Sequence, residues 1–389
     1  MKKNYIAMIC KLMPFYRIGV FQCLSAVDGN YEFSFFGDTE EQGGIKQIPY
    51  SYASAKGEER IRWVKTKNFF YKPERLLWQT GVIKEIFKSK FKVFVFEGAI
   101  AHYPIWLYAL LCKIRGKKVV YWTHGNRGLD KGVKKLLRVV LFKWLGDGLF
   151  LYGHFQRDLM IKDGYDPNKL HVIYNSLRPK KQFEILESIE SNENDDDVQI
   201  FKNPENFTVV FIGRLVSSKG VLDILKIVTE LKKTMIDINC IFIGKGPEKE
   251  KMISYCDDFK IKDQVYFAGE LYEEKHIASY FNMADLMISP GNVGLNCIHS
   301  LAYGVPVLTH DNFKYQNPEV EAITDGKTGV FYKYEDFDDM VLKLKQWMKN
   351  KPAAKIVKKN CQDIIKEKYN PTYQTECIVT ALNTLLNEK

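Results

Sequence analysis

Residues 289–307 read Ser289-Pro290-Gly291-Asn292-Val293-Gly294-Leu295-Asn296-Cys297-Ile298-His299-Ser300-Leu301-Ala302-Tyr303-Gly304-Val305-Pro306-Val307. The apolar run Leu286-Met287-Ile288 before them stops at Ser289-Pro290-Gly291. Leu295, Ile298, Leu301 and Ala302 then recur at the spacing of one helix face, and Gly304 and Pro306 stop that helix before the apolar run Val305-Val307-Leu308. The order is strand, loop, helix, strand. In such a unit the unpaired backbone N–H groups at the helix start, together with the positive end of its dipole, form a site for an anion such as phosphate. Any parallel α/β protein contains several such turns, so the neighbouring segments decide whether this one binds a ligand.

Outward from this stretch the alternation continues. Strands are expected at 208–212, 239–243, 265–268, 286–288 and 305–309, with helices at 219–234, 246–257, 273–283, 294–303 and 335–349. The first half repeats the pattern, with strands at 5–10, 31–36, 93–96, 119–122 and 148–152 and helices near 17–26, 74–88, 101–115, 130–145 and 154–163. Short apolar strands between amphipathic segments imply parallel sheets covered on both faces. Residues 178–206 are polar, with an acidic run from Glu190 to Asp197, and read as a connection between domains. The triple Asp195-Asp196-Asp197 follows no apolar strand and reads as solvated linker rather than a metal-binding cluster. The expected division is therefore an N-terminal domain over 1–177, a linker over 178–206 and a C-terminal domain over 207–370. A last amphipathic helix over 371–389 has Tyr373, Cys377, Ile378, Ala381, Leu382 and Leu385 on one side. Open α/β sheets bind ligands at the carboxyl ends of their strands, so two such domains facing across a cleft would hold two substrates.

A chain of 389 residues with 46% hydrophobic content can bury a large core. Eight cysteines lie scattered with no CxxC pair, which suggests neither a disulfide framework nor a zinc site and fits a reducing cytoplasm. Met1-Lys2-Lys3 starts like a signal peptide, but Lys11 and Arg17 interrupt the apolar stretch and no small-residue cleavage site follows. The longest apolar window, Ala99 to Cys112, is too short to span a bilayer as a helix. Charge is unevenly placed. Lys65 to Lys143 holds 18 Lys/Arg against 4 acidic residues, so the net +10 of the chain is concentrated there. This segment includes Phe69-Phe70-Tyr71-Lys72, Leu76-Leu77-Trp78, and Lys131, Lys134, Lys135, Arg138 and Lys143 interleaved with Leu136, Leu137, Val140 and Leu141. One reading is a cationic, aromatic-bearing face on an anionic membrane, where each basic residue near the surface contributes about 1 kcal/mol. The other is a set of amphipathic helices with lysine-rich solvated faces. No nucleic-acid recognition motif accompanies the charge.

Phe211-Ile212-Gly213-Arg214-Leu215-Val216-Ser217-Ser218-Lys219-Gly220 is the second signal. A strand ends at Gly213, two cations flank a tight loop, and a helix starts near Gly220. Arg214 offers a planar fork of donors and Lys219 a mobile point charge, a combination suited to a diphosphate. Next come Gly244-Lys245-Gly246-Pro247-Glu248, Phe267-Ala268-Gly269 and the 289–307 stretch, each after a strand. In this order and spacing the chain resembles glycosyltransferase family 4, strongly from Thr208 to about Gly329 and weakly in its N-terminal half, where Val172-Ile173-Tyr174-Asn175-Ser176 looks like the family's last N-domain strand.

The resemblance implies a GT-B fold of two Rossmann-like domains with a C-terminal helix crossing back to the first. It also implies a retaining sugar transfer from a nucleoside-diphosphate sugar, with no cofactor and no metal. Arg214 and Lys219 would then meet the charge on the leaving diphosphate, and Gly213, Asn292, Gly294, Leu295, Asn296, Phe267 and Gly269 would line the donor. Two glutamates usual in the family are replaced by Gly291 and His299. His299 can still hydrogen-bond a ribose hydroxyl, whereas donor-sugar recognition at Gly291 must move to Asn292, Asn296 or backbone. A helix histidine satisfied by packing is the alternative for His299. Trp122-Thr123-His124-Gly125 ends a strand where the family often has a cleft histidine, so His124 is a catalytic candidate beside its reading as a structural residue. Tyr16 and Arg17 follow the first strand on the acceptor side, in place of the usual Gly-Gly loop. The expected partners are the donor, a glycan or polyprenyl-linked acceptor of surface polysaccharide synthesis and an anionic membrane, at the cytoplasmic inner face. A non-catalytic sugar-nucleotide-binding scaffold and a GT-B sugar-nucleotide epimerase are the competing readings.

Overall fold

A computed structural model of the chain describes all residues except 1–2, 41–45, 72–75, 89, 100–101, 127, 130–131, 192–198 and 388–389. Lys72, Lys131 and the Asp195-Asp196-Asp197 triple therefore lie outside the described residues. The chain divides into two compact units, Met1–Leu177 with Asn370–Lys389, and Arg178–Tyr369.

The first unit runs β1 (Asn4–Ile9), α1 (Ile18–Ala26), β2 (Tyr31–Gly37), β3 (Trp63–Lys65), β4 (Asn68–Tyr71), β5 (Leu76–Gln79), α2 (Val82–Phe87), β6 (Phe91–Glu97), α3 (Tyr103–Ile114), β7 (Lys118–Thr123), α4 (Gly132–Leu145), β8 (Gly148–Leu151), α5 (His154–Lys162) and β9 (Leu170–Val172). Seven strands form a parallel sheet in the order β3-β2-β1-β6-β7-β8-β9. Successive side chains point to opposite faces, so each central strand feeds two cores. Ile6 and Met8 of β1, Val93 and Val95 of β6, and Val120 and Trp122 of β7 enter one. Ala7 and Ile9, Phe94 and Phe96, and Val119 and Tyr121 enter the other, with Tyr108 of α3 and Phe142 of α4.

The second unit runs α6 (Pro179–Ser191), β10 (Phe207–Ile212), α7 (Val221–Lys233), β11 (Ile238–Ile243), α8 (Lys249–Asp258), β12 (Val265–Gly269), α9 (Glu274–Asn282), β13 (Leu286–Ser289), α10 (Leu295–Ala302), β14 (Val307–His310), β15 (Gly329–Tyr332), α11 (Phe337–Asn350) and α12 (Ala354–Glu367). Its six strands are parallel in the order β12-β11-β10-β13-β14-β15. Strand order reverses between β10 and β13, the switch point where open α/β sheets bind ligands. The last helix, α13 (Pro371–Asn387), returns to the first unit, where Ile378, Ala381, Leu382 and Leu385 complete the core on the α1 side.

Three expectations need correction. The segment 178–206 is not all connection, because Pro179–Ser191 is a helix of the second unit. Its polar composition hides Phe183, Leu186 and Ile189 at helical spacing, and Leu186 is buried. The helix expected near 74–88 spans only Val82–Phe87, since Leu76–Gln79 pairs antiparallel with β4 and Gly81 breaks the chain in the left-handed region at φ 84°. The strand expected at 172–176 stops at Val172, and Tyr174 turns the chain with φ 56°.

Candidate functional site

The loops after β10 and β13 meet at the switch point of the second sheet. Their approach is close enough to dictate glycine. A Cβ on Gly291 would lie 2.5 Å from the Ser218 carbonyl oxygen and 2.7 Å from Lys219 Cα, and the Gly291 N–H donates to the Lys219 carbonyl at 3.1 Å. Gly220 has φ 65°, and a Cβ there would meet Pro290 Cβ at 2.7 Å. As the loops stand, position 291 has no room for a side chain, the carboxylate that the resemblance would put there included.

Across this contact Lys219 Nζ donates to both the carbonyl oxygen (2.6 Å) and Oδ1 (2.7 Å) of Asn292. Burial, then the neighbouring Arg214, push the ammonium down to about 8, with Glu319 opposing. Arg214 is exposed. Gly213 has φ 151°, and its N–H donates to the Ile243 carbonyl at 2.9 Å. Phe267 stacks on Phe242 with centroids 5.4 Å apart, and the Gly269 carbonyl accepts from the Gly244 N–H at 2.7 Å.

At the start of α10 the backbone is partly satisfied by its own side chains. Asn296 Oδ1 accepts from the N–H groups of Gly294 (2.8 Å) and Cys297 (3.1 Å), while Asn296 Nδ2 reaches the Ile212 carbonyl at 3.4 Å. Gln316 Oε1 accepts from the Val293 N–H at 2.8 Å. The N–H groups of Val293, Gly294 and Cys297 are thus taken by side chains of the chain itself, which narrows the anion site expected from all the N–H groups of this turn. Gln316 is fully buried and also donates to Thr309 Oγ1 and the His310 carbonyl, both at 2.9 Å, and Asn317 Nδ2 donates to the Val293 carbonyl at 2.7 Å. Gln316 and Asn317 thus brace the loop from a segment to which the sequence reading gave no role.

His299 is engaged by protein. Its Nε2 lies 2.7 Å from Glu274 Oε1, which also accepts from Tyr303 Oη (2.7 Å) and Gln182 Nε2 (2.9 Å). Burial alone would raise the Glu274 carboxyl, but the hydrogen bonds and charge of His299, with Tyr303 and Gln182, outweigh it and hold Glu274 down to about 2. A carboxylate thus returns to this helix face from α9. Only its spacing before a helix, Glu273-Glu274 ahead of Ile277 and Phe281, signals it in the sequence.

In the first unit, the ends of β1, β6, β7 and β8 carry a second cluster. Arg17 Nη1 donates to Glu97 Oε1 at 2.7 Å and Nη2 to Tyr152 Oη at 2.9 Å, with the guanidinium 4.9 Å from the Trp122 ring. Burial works against this charge, but Tyr152, Tyr16 and Glu97 outweigh it and raise the guanidinium further. Exposed His124 packs its ring 4.8 Å from that of Tyr152. The structure therefore brings Tyr16, Arg17 and His124 together, and adds Glu97 and Tyr152. Arg17 is bound by its own chain rather than open to an acceptor. Among the described residues there is no group of three or more His, Cys, Asp or Glu placed to hold a metal ion.

Residues 192–367 match the profile of the family described as glycosyl transferases group 1. An uncharacterized glycosyltransferase of Methanocaldococcus jannaschii is 23% identical over 273 residues, 66% of each chain. The alpha-monoglucosyldiacylglycerol synthase of Acholeplasma laidlawii is 22% identical over 195 residues, 48% of this chain and 47% of that protein. HepE of Anabaena, solved with UDP, superposes with a TM-score of 0.72 at 12% identity, covering 98% of this chain and all of HepE, a likeness of fold.

Proposed function

The chain belongs to the glycosyl transferases of group 1 through residues 192–367, and from that premise we propose that it moves a sugar, with retention, from a nucleoside-diphosphate sugar to a glycan or polyprenyl-linked acceptor. The observation that carries this reading is Lys219, half-buried and held by Asn292 where the β10 and β13 loops touch, with Arg214 beside it. These cations and the start of α10 supply preorganised positive charge for a diphosphate leaving group, so no metal is required for that step. The sugar is recognised by Asn292 and by loop backbone, since position 291 has no room for a side chain. The Glu274–His299 pair takes the ribose hydroxyls, with Glu274 fixing the ring of His299. His124, exposed beside Tyr152 in the first unit, stays a candidate for the catalytic step.

Support for a lipid-linked acceptor comes from the Acholeplasma relative, whose name records a glycolipid product. The place of action is then the inner face of the membrane, in surface polysaccharide synthesis. The decisive experiment is a panel of UDP-, GDP- and other activated sugars assayed with and without lipid-linked acceptors, for wild type and Arg214→Ala. Acceptor-dependent turnover that disappears in Arg214→Ala is expected, with the product anomer matching the donor. Binding without turnover would make the chain a scaffold, product without acceptor would make it an epimerase, and full activity in Arg214→Ala would sink the site.

A further inference from the structure

Helix α4 is amphipathic in the inverted sense. Val133, Leu136, Leu137, Val140 and Trp144 fall within an arc of about 100° on the helix, and this arc points away from Phe142, which is wholly buried in the core. Val133 is 72% exposed, Leu136 61% and Trp144 77%. The neighbouring α3 repeats the arrangement. Leu107, Leu110 and Ile114 lie at i, i+3 and i+7 on its outer side, and Ile114 is 70% exposed, while Tyr108, Ala109 and Cys112 fill the core. The two helices pack against each other, with the Trp106 ring of α3 5.6 Å from that of Phe142 on α4. Scattered single apolar residues on a surface are ordinary, but an outward apolar stripe on each of two neighbouring helices is not.

Charge selects the occupant. Except for Trp144, just past its end, the stripes lie within Lys65 to Lys143, which holds 18 Lys/Arg against 4 acidic residues. Some of these cations are held internally, Lys113 by Asp147 and Lys135 by Asp163. Arg115 stands at the end of α3 beside the half-exposed Phe87 ring, 5.4 Å away, and Lys143 flanks Trp144. A second copy would bring the same positive excess to the interface and be repelled. An anionic bilayer attracts the cations and takes up the apolar stripe, and a tryptophan at the helix end suits its headgroup layer. No helix among the described residues is long and apolar enough to cross a membrane, so the contact is one of lying on the surface.

We propose that the outer face of α3 and α4 is a membrane-docking surface that lays its apolar stripe into an anionic bilayer. It names the surface for the membrane placement in the preceding reading, and it rests on none of the donor chemistry there. The test is co-sedimentation of the full chain with vesicles of phosphatidylcholine, with and without phosphatidylglycerol, for wild type and Leu136→Ser/Trp144→Ser. Both substituted residues are exposed, and circular dichroism checks that the fold is kept. Wild type should bind the phosphatidylglycerol vesicles in a salt-sensitive manner, and the double variant roughly tenfold more weakly or worse. Lipids brominated on the acyl chain should quench tryptophan emission in wild type and do so less in Trp144→Phe. Equal vesicle binding by wild type and double variant would overturn the proposal. So would binding indifferent to phosphatidylglycerol, or concentration-dependent dimerisation through this face without vesicle binding. The thermal shift produced by a nucleotide sugar reads the donor site separately, so failure of either reading is visible without the other.

Discussion

Gly291 and Lys219 show how single residues set the proposed donor site. At Gly291 steric exclusion is the controlling fact, because a methyl would press on the Ser218 carbonyl at 2.5 Å. Gly291→Ala should part the two loops, costing about 1–3 kcal/mol of stability and weakening donor affinity. Urea unfolding and donor titration check this, and unchanged values in both would show that the loops separate freely. For Lys219 the question is protonation. Its ammonium sits at about 8, so it is charged below that pH and loses its proton as pH rises through it. An arriving diphosphate needs the charged form and raises its proton affinity in return. Affinity for a nucleotide sugar should therefore fall between pH 7 and 9 in wild type. In Lys219→Met it should be low and nearly flat over the same window. Calorimetric titrations across that window decide, and a wild type indifferent to pH would remove Lys219 from the diphosphate. Removing either preorganised cation should lower kcat by roughly 10²–10³, about 2.7–4 kcal/mol.

At the scale of elements, α6, α9 and α10 are tied by one carboxylate. Gln182 of α6, His299 of α10 and nearby Tyr303 all converge on Glu274 of α9. The depressed carboxyl stabilises the fold when ionised, so its contribution is full above the unfolded value near 4.5 and fades as pH falls toward 2. The shift corresponds to at most about 3 kcal/mol. Glu274→Gln should be less stable than wild type at neutral pH, and the gap should close progressively below pH 4.5. Parallel denaturant curves from pH 7 to 3 test it, and a gap that stays constant would show the loss to be one of packing. This network was illegible in the sequence for a physical reason. The motif places His299 on a helix face, but its partner comes from a helix 25 residues earlier, and only the sheet order brings the two together. Helix α6 was hidden similarly, its four large apolar residues, Phe183, Ile185, Leu186 and Ile189, diluted among charges.

Across the whole molecule, the parts carried by local chemistry were readable and those carried by long-range closure were not. Strands such as β10 and β11 are apolar runs ended by Gly213 and Gly244, and the loop cations follow them directly, so fold class and the Arg214–Lys219 pair could be read from the chain. The bracing of the 289–294 loop by Gln316 and Asn317, and the capture of Arg17 by Glu97, depend on pairings between distant segments of one unit that no short spacing encodes. The return of α13 lies between these cases, since its apolar face announced a docking helix and the contacts supply its address. Tyr31 Oη donates to Asn383 Oδ1 at 2.6 Å, Gln374 Nε2 to the Tyr174 carbonyl at 2.8 Å, and Leu382 is wholly buried against the α1 side. Truncating Leu382 to alanine should therefore cost the first unit about 2–5 kcal/mol, a large share of an ordinary domain's stability. Scanning calorimetry should show a transition displaced to lower temperature in Leu382→Ala, while the stabilisation conferred on the second unit by a nucleotide sugar persists. A variant as stable as wild type would mean that the first unit's core closes without α13.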